Sequence, residues 1–158
     1  MRYLRRLRSS KGNSMIEAAI ILPLLTLLTL GLVEFASVFW VYLALENGVS
    51  QASRFAVTGN FMDDPDNPGT PLSREQSIRA AFRKATTTLT VDDAAFSFYH
   101  MPPGGAGWVG GTGGPNDIEK VTVQYTWEFW TPMIRPFFTN GEITLSVDSM
   151  MKNEGRFE

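Results

Sequence analysis

Residues 18–33 read AAIILPLLTLLTLGLV without a charge, and after one acid, Glu34, the apolar run resumes as FASVFWVYLAL up to Leu45. About 20 residues of helix cross the hydrocarbon core of a bilayer, so this stretch is long enough to span one. Beyond Glu34 the apolar positions Phe35, Val38, Tyr42, Leu45, Val49, Ala52 and Ala56 step alternately by three and four residues. Glu46, Asn47, Ser50, Gln51, Ser53 and Arg54 fall between them. That is the stripe of an amphipathic helix. One helix from about residue 14 to residue 58 is therefore expected, roughly 65–70 Å long at the usual helical rise. Its outer half needs a protein surface against which to bury the stripe.

The segment DDPDNPGTP at 63–71 cannot continue a helix, because its prolines remove donors and its glycine favours a turn. Ser73 then opens Ser-Arg-Glu-Gln, the pattern of a capping box with Gln76 reaching back. Ile78, Ala81, Phe82, Ala85 and Leu89 give a second amphipathic helix, with Arg79, Arg83 and Lys84 expected to face water. Phe96 and Phe98 alternate with Ser97 and Tyr99, which indicates a short strand ahead of a glycine-rich loop, MPPGGAGWVGGTGGPND, at 101–117. Alternation becomes strict at Val121, Val123, Tyr125, Trp127 and Phe129, and again at Ile143, Leu145 and Val147. The expected fold is α+β: a long N-terminal helix, a second helix and a roughly three-stranded antiparallel sheet whose apolar face receives both helices in one core.

With 158 residues, 44% hydrophobic and 19% charged, the chain has material for one modest domain and an accessory segment. A mean hydropathy near zero averages a strongly apolar N-terminal third with a polar remainder. Net charge is −2, which gives no hint of a nucleic-acid partner, but the charges are unevenly spread. Arg2, Arg5, Arg6, Arg8 and Lys11 precede residue 13 with no acid among them, so the other nine bases face all 16 acids. A basic leader before an apolar helix is expected to stay in the cytoplasm, with the bulk of the chain outside. Three segments follow: a cytoplasmic leader at 1–12, a transmembrane and amphipathic stem at 13–59, and an extracytoplasmic α+β domain at 60–158. A cleaved secretory signal also starts with basic and apolar regions, but here the apolar run is too long and no small-residue cleavage site follows promptly. The chain has no cysteine, which excludes disulfides, thiolate metal sites and cysteine nucleophiles.

The boundary between leader and helix reads Lys11-Gly12-Asn13-Ser14-Met15-Ile16-Glu17-Ala18-Ala19. A glycine followed at the fifth residue by a carboxylate, at the mouth of an apolar helix, resembles the processing site of type IV prepilins and pseudopilins. A backbone without a side chain is readily held extended in a protease cleft. A charge at the edge of hydrocarbon is costly and tends to be kept where it has a partner, although an acid in a first turn also suits the helix dipole. The string Glu17-Ala18-Ala19-Ile20-Ile21-Leu22-Pro23-Leu24-Leu25, with Gly31-Leu32-Val33-Glu34 and Arg54-Phe55-Ala56, is more specifically similar to the TadE-like family of the tight-adherence (Tad, or Flp) pilus system. The C-terminal segments around Val121–Tyr125, Thr131-Pro132, Ile143–Leu145 and Met150–Glu154 are loosely similar to that family's closing strands.

The resemblance implies a non-enzymatic pseudopilin or minor pilin of the bacterial inner membrane, single-pass, cut between Gly12 and Asn13 by a prepilin peptidase. It implies that Glu17 attracts the new amino terminus of a neighbouring subunit. Partners would be that peptidase, other pilins or pseudopilins of the system, the inner-membrane assembly platform and the lipid bilayer. The major pilin of such systems is expected to be much shorter. Ala18, Pro23, Gly31 and Glu34 fall in the membrane helix, where Pro23 predicts a local kink. Glu34 reads either as a residue at the outer interface or as a buried acid paired with an adjacent subunit. An alternative of another class is an unprocessed single-pass anchor carrying a periplasmic binding module.

Other signals carry less. The glycine-rich loop lacks the Gly-Lys-Ser/Thr of a phosphate loop. Asp63, Asp64, Asp66 and Asn67 break the calcium-loop spacing and suit a solvated turn. His100 is the sole histidine and offers neither a metal site nor a base–nucleophile pair. No catalytic residue, cofactor or metal is expected. Trp127 is expected in the core, whereas Trp108, Trp130 and the pair Phe137-Phe138 are candidates for core packing, an outer-leaflet anchor or partner contact.

Overall fold

The computed structural model describes residues 10–157, with side chains from Ser14 onward; Arg2, Arg5, Arg6 and Arg8 of the leader lie outside the described residues. Helix α1, Ser10–Ala56, runs for 47 residues and is not interrupted at Pro23. Over Ser14–Ala56 it is long and apolar enough to cross a membrane. Three hydroxyls of its apolar part fold back on its own carbonyls: Thr26 Oγ1 donates to Leu22 (2.8 Å), Thr29 Oγ1 to Leu25 (2.8 Å) and Ser37 Oγ to Val33 (2.9 Å). Such internal pairing is what an environment without water demands of polar groups.

The helix ends where Gly59, at φ +71°, turns the chain in the left-handed region and donates its N–H to the Ala56 carbonyl at 3.1 Å. A Cβ there would also fall 2.2 Å from a ring carbon of Phe157, so both backbone and space call for glycine. The proline-rich segment at 63–71 forms a closed turn in which Asp63 bridges Pro71. Asp64 accepts from the Asp66 N–H at 2.9 Å and from Asn67 Nδ2 at 3.0 Å. These donors, Asn67 foremost, hold the Asp64 carboxyl below its usual range.

Helix α2, Arg74–Ala85, starts on the expected capping box: Gln76 N–H donates to Ser73 Oγ while Ser73 N–H donates to Gln76 Oε1. It buries Ile78, Ala81 and Phe82 against α1. The two helices pack tightly at Gly48, where a Cβ would meet Phe82 Cε2 at 2.5 Å and Thr86 Cγ2 at 2.6 Å. Arg79 departs from the expectation of a water-facing residue. Its side chain is 17% exposed, its guanidinium carbon lies 5.2 Å from the centre of the Phe98 ring, and Nη2 is 3.3 Å from Glu75 Oε2. The long arginine stem covers the aromatic edge of the core while the head keeps a charged partner. Arg83, paired with Asp93, and Lys84 are exposed.

Four antiparallel strands form one sheet in the order β2-β1-β3-β4: β1 Phe96–Met101, β2 Val109–Gly110, β3 Ile118–Glu128 and β4 Glu142–Lys152. The strand additional to the three expected, β2, arises inside the glycine-rich loop, where Val109 and Gly110 pair with His100 and Tyr99. Two residues are too few to show alternation, so nothing in the loop's composition marks them. Phe96, Phe98, Val121, Val123, Trp127 and Val147 form the inner face, and Phe82 meets Phe96 edge-on at 5.1 Å. Val41, Leu45, Val49, Ala52 and Ala56 of α1 complete the core, so the second half of the long helix is itself the spine of the folded domain.

Candidate functional site

The two halves of α1 differ in what covers them. Met15, Ile16, Ile20, Leu24, Leu28 and Leu32 are all exposed, whereas from Val41 onward every fourth or third residue is buried by the sheet and α2. Glu17 lies on the bare half, exposed, in a shallow groove with Ser14, Ala18, Ile21, Leu22 and Leu25. It carries the one charge of residues 12–33. The backbone of Gly12 and Asn13 is helical, in the opening turns of α1.

Where the bare half meets the covered half, the chain builds a polar clamp. Glu34 is 3% exposed although its neighbours Val33 and Phe35 are open. Its Oε1 accepts the Trp130 N–H at 2.7 Å, and its Oε2 accepts the Thr131 N–H at 3.2 Å and Thr131 Oγ1–H at 2.7 Å. The donors belong to the connection between β3 and β4 in the same chain, a partner that neither reading of Glu34 from sequence had contained. Three donors on two oxygens make a buried carboxylate tolerable without a counter-cation. One turn earlier Gly31 faces the same connection, with Ile134 Cδ1 at 4.0 Å from where a Cβ would stand.

A second polar centre lies at the far end of the domain and had no sequence signal. Glu119 shares the inner face of β3 with Val121 and Val123 and is 2% exposed. Arg74, the first residue of α2, reaches it with Nη2 at 2.7 Å. The same guanidinium donates to the carbonyls of Ala56 (3.0 Å) and Gly113, and its carbon lies 4.4 Å from the centre of the Phe157 ring. One side chain thus ties together the C-terminus of α1, the glycine-rich loop, β3 and the end of the chain. Burial pushes the Glu119 carboxyl up, with Arg74 pulling it the other way, and burial likewise lowers Arg74. Charges in an interior are costly even when paired, which fits both directions.

The aromatic residues divide as follows. Trp127 is buried and its ring centre is 5.1 Å from that of Trp130; Phe138 stacks on Phe129 at 4.1 Å. Trp130 and Phe137 are 66% and 80% exposed. Trp108 is open beside Lys120, whose Nζ is 5.9 Å from the ring centre. His100 Nδ1 lies 3.2 Å from the Gly111 carbonyl oxygen, joining β1 to the loop. Among the described residues no three His, Cys, Asp or Glu side chains gather to hold a metal ion.

Residues 12–54 match the family model described as TadE-like protein. The match opens at Gly12, takes in Glu17, Pro23, Gly31 and Glu34, and closes inside α1, leaving α2 and the sheet outside it. No curated protein and no solved structure matches the chain. Over residues 12–54, the bare stem and the spine that continues from it, the chain is similar to the TadE-like protein family.

Proposed function

We propose that this protein is a pseudopilin or minor pilin of a Tad-type pilus: a non-enzymatic subunit, held by α1 in the bacterial inner membrane, that takes part in assembling or priming the filament. The observation that carries this reading is the division of α1. Its first half is apolar and uncovered, its second half is locked into a folded domain, and the family match runs through both. A stem of that kind can sit in lipid and later pack against other stems. Association between apolar helices has little hydrophobic drive inside lipid, so extraction requires a motor elsewhere in the system. In this reading the basic leader stays in the cytoplasm, the outer domain is periplasmic, and the partners are sister pilins and the assembly platform.

Processing would fall between Gly12 and Asn13, on the cytoplasmic side, by a prepilin peptidase. Because this bond lies in the opening turns of α1, a protease that takes an extended substrate must unwind them first. Cleavage would free an amine on Asn13, and Glu17 would be the carboxylate that a neighbour's amine seeks. The test is intact mass and N-terminal sequence of the protein from membranes with and without the peptidase, alongside Gly12→Ala. A peptidase-dependent chain starting at Asn13 supports the pilin-type reading. An unchanged Met1 terminus in both membranes overturns it in favour of a static anchor.

A further inference from the structure

We propose that the β3–β4 connection, residues 129–141, is a lipid-embedded foot that beds the outer domain on the outer leaflet. The proposal rests on the reading that α1 spans a bilayer. Ile134 packs beside Gly31, inside the uncharged run at 18–33, so the connection hangs down past the last turns of helix that must lie in or near hydrocarbon. Glu34 holds it there through the Trp130 and Thr131 N–H groups. From this position the connection turns Trp130 (66% exposed), Met133 (53%) and Phe137 (80%) outward. On a domain standing in water these would be three large apolar side chains with no cover.

Charge and residue type point to the same occupant. Residues 129–141 include no acid and one base, Arg135, which is exposed and anchors itself by donating from Nε to the Phe129 carbonyl at 2.6 Å. Tryptophan at the junction of hydrocarbon and headgroups, with a nearby arginine for phosphate, is the composition that membrane interfaces favour. Trp40 on α1 lines one apolar groove with Trp130, Val33 and Ala36, so the helix and the foot present aromatic surface together at one level.

The test uses the full chain in phosphatidylcholine–phosphatidylglycerol vesicles whose acyl chains carry bromine near the headgroup or near the chain end. Trp130 is read in the triple variant Trp40→Phe, Trp108→Phe and Trp127→Phe. Because Trp127 is a core residue, Trp130 is read again as the difference between wild type and Trp130→Phe. Leu25→Trp in the Trp130→Phe background reports on the stem. The foot is expected to be quenched at least about twofold more by shallow than by deep bromine and to be shielded from iodide. Quenching of Trp130 by iodide alone overturns the proposal. So does shielding from both iodide and bromine that grows with protein density, which would mean a neighbouring copy covers the patch. If deep bromine quenches Leu25→Trp while Trp130 escapes bromine at both depths, the foot fails and the membrane stem stands. If Leu25→Trp escapes as well, the spanning helix itself falls, and the foot with it.

Discussion

The carboxylate of Glu34 and the hydroxyl of Thr131 meet at 2.7 Å across 97 residues of chain. Their contact fixes the height at which the sheet sits on the long helix. Glu34→Ala removes the acceptor for two backbone N–H groups and one hydroxyl in a buried place, and is expected to cost roughly 2–4 kcal/mol. Thr131→Val loses one hydroxyl donor and should cost about 1 kcal/mol. Denaturant unfolding of the full chain in detergent reads both, and amide exchange at Trp130 and Thr131 should accelerate far more in Glu34→Ala than exchange in β4.

Gly48 sets the spacing of α1 and α2, since any Cβ there would run into the Phe82 ring. Gly48→Ala is expected to destabilise the outer domain by about 1–3 kcal/mol despite the better helix propensity of alanine. Adding Phe82→Leu should recover part of that loss, because the second change removes the atoms in the way. A double-mutant cycle by thermal unfolding decides it, and strict additivity would place the cost elsewhere.

The buried pair Arg74 and Glu119 should respond unequally to loss of each partner. Arg74→Met leaves a carboxylate in the interior and detaches the Ala56 and Gly113 carbonyls, for an expected cost of about 3–5 kcal/mol near neutral pH. Glu119→Gln leaves an arginine that still has carbonyl and aromatic neighbours, and should cost less. Burial raises the folded-state pKa of Glu119, so stability associated with its protonated form is present below the unfolded-state pKa and lost as pH rises through the folded one. In Arg74→Met that rise is no longer opposed by the guanidinium. The deficit relative to wild type should therefore shrink as pH is lowered into the carboxylate range, which a pH series of unfolding curves would show.

Glu17→Leu separates processing from assembly. The substitution makes the stem more apolar and leaves Gly12 and Asn13 in place, so the proposed function expects membrane insertion and cleavage to persist. Co-purification with sister pilins should drop at least about tenfold, as befits loss of a charge pair in a setting of low dielectric. Unchanged co-purification would remove Glu17 from the recognition step.

Much of this architecture is legible along the chain because its determinants are local. The three-and-four spacing of Leu45, Val49, Ala52 and Ala56 marks the buried face of α1, and Ser73 with Gln76 marks the start of α2. The alternation from Val121 to Phe129 fixes which face of β3 is inward. What the sequence did not reveal depends on contacts between distant residues. Glu34 finds its donors nearly a hundred positions away, two of the three on backbone N–H groups that have no sequence signature at all. Glu119 occupies an inner-face position that periodicity assigns to an apolar side chain, and only the arrival of Arg74 from another element makes it tenable. Arg79 departs from its residue type for a related reason, since an arginine suits water while the aromatic rings of β1 offer its stem a better surface.

The continuity of α1 has a mechanical consequence. The same rod that can stand in the membrane supplies Leu45, Val49 and Ala52 to the core above, with no joint between. Axial force applied to the stem is therefore delivered directly to the sheet. Each step of one residue's rise, about 1.5 Å, lifts the whole outer domain by that distance, and a twist of the rod turns the domain through the same angle. The Glu34 carboxylate, which accepts from Trp130 and Thr131, ties this rod to the β3–β4 connection below those core contacts, so a displacement of the stem is felt there as well.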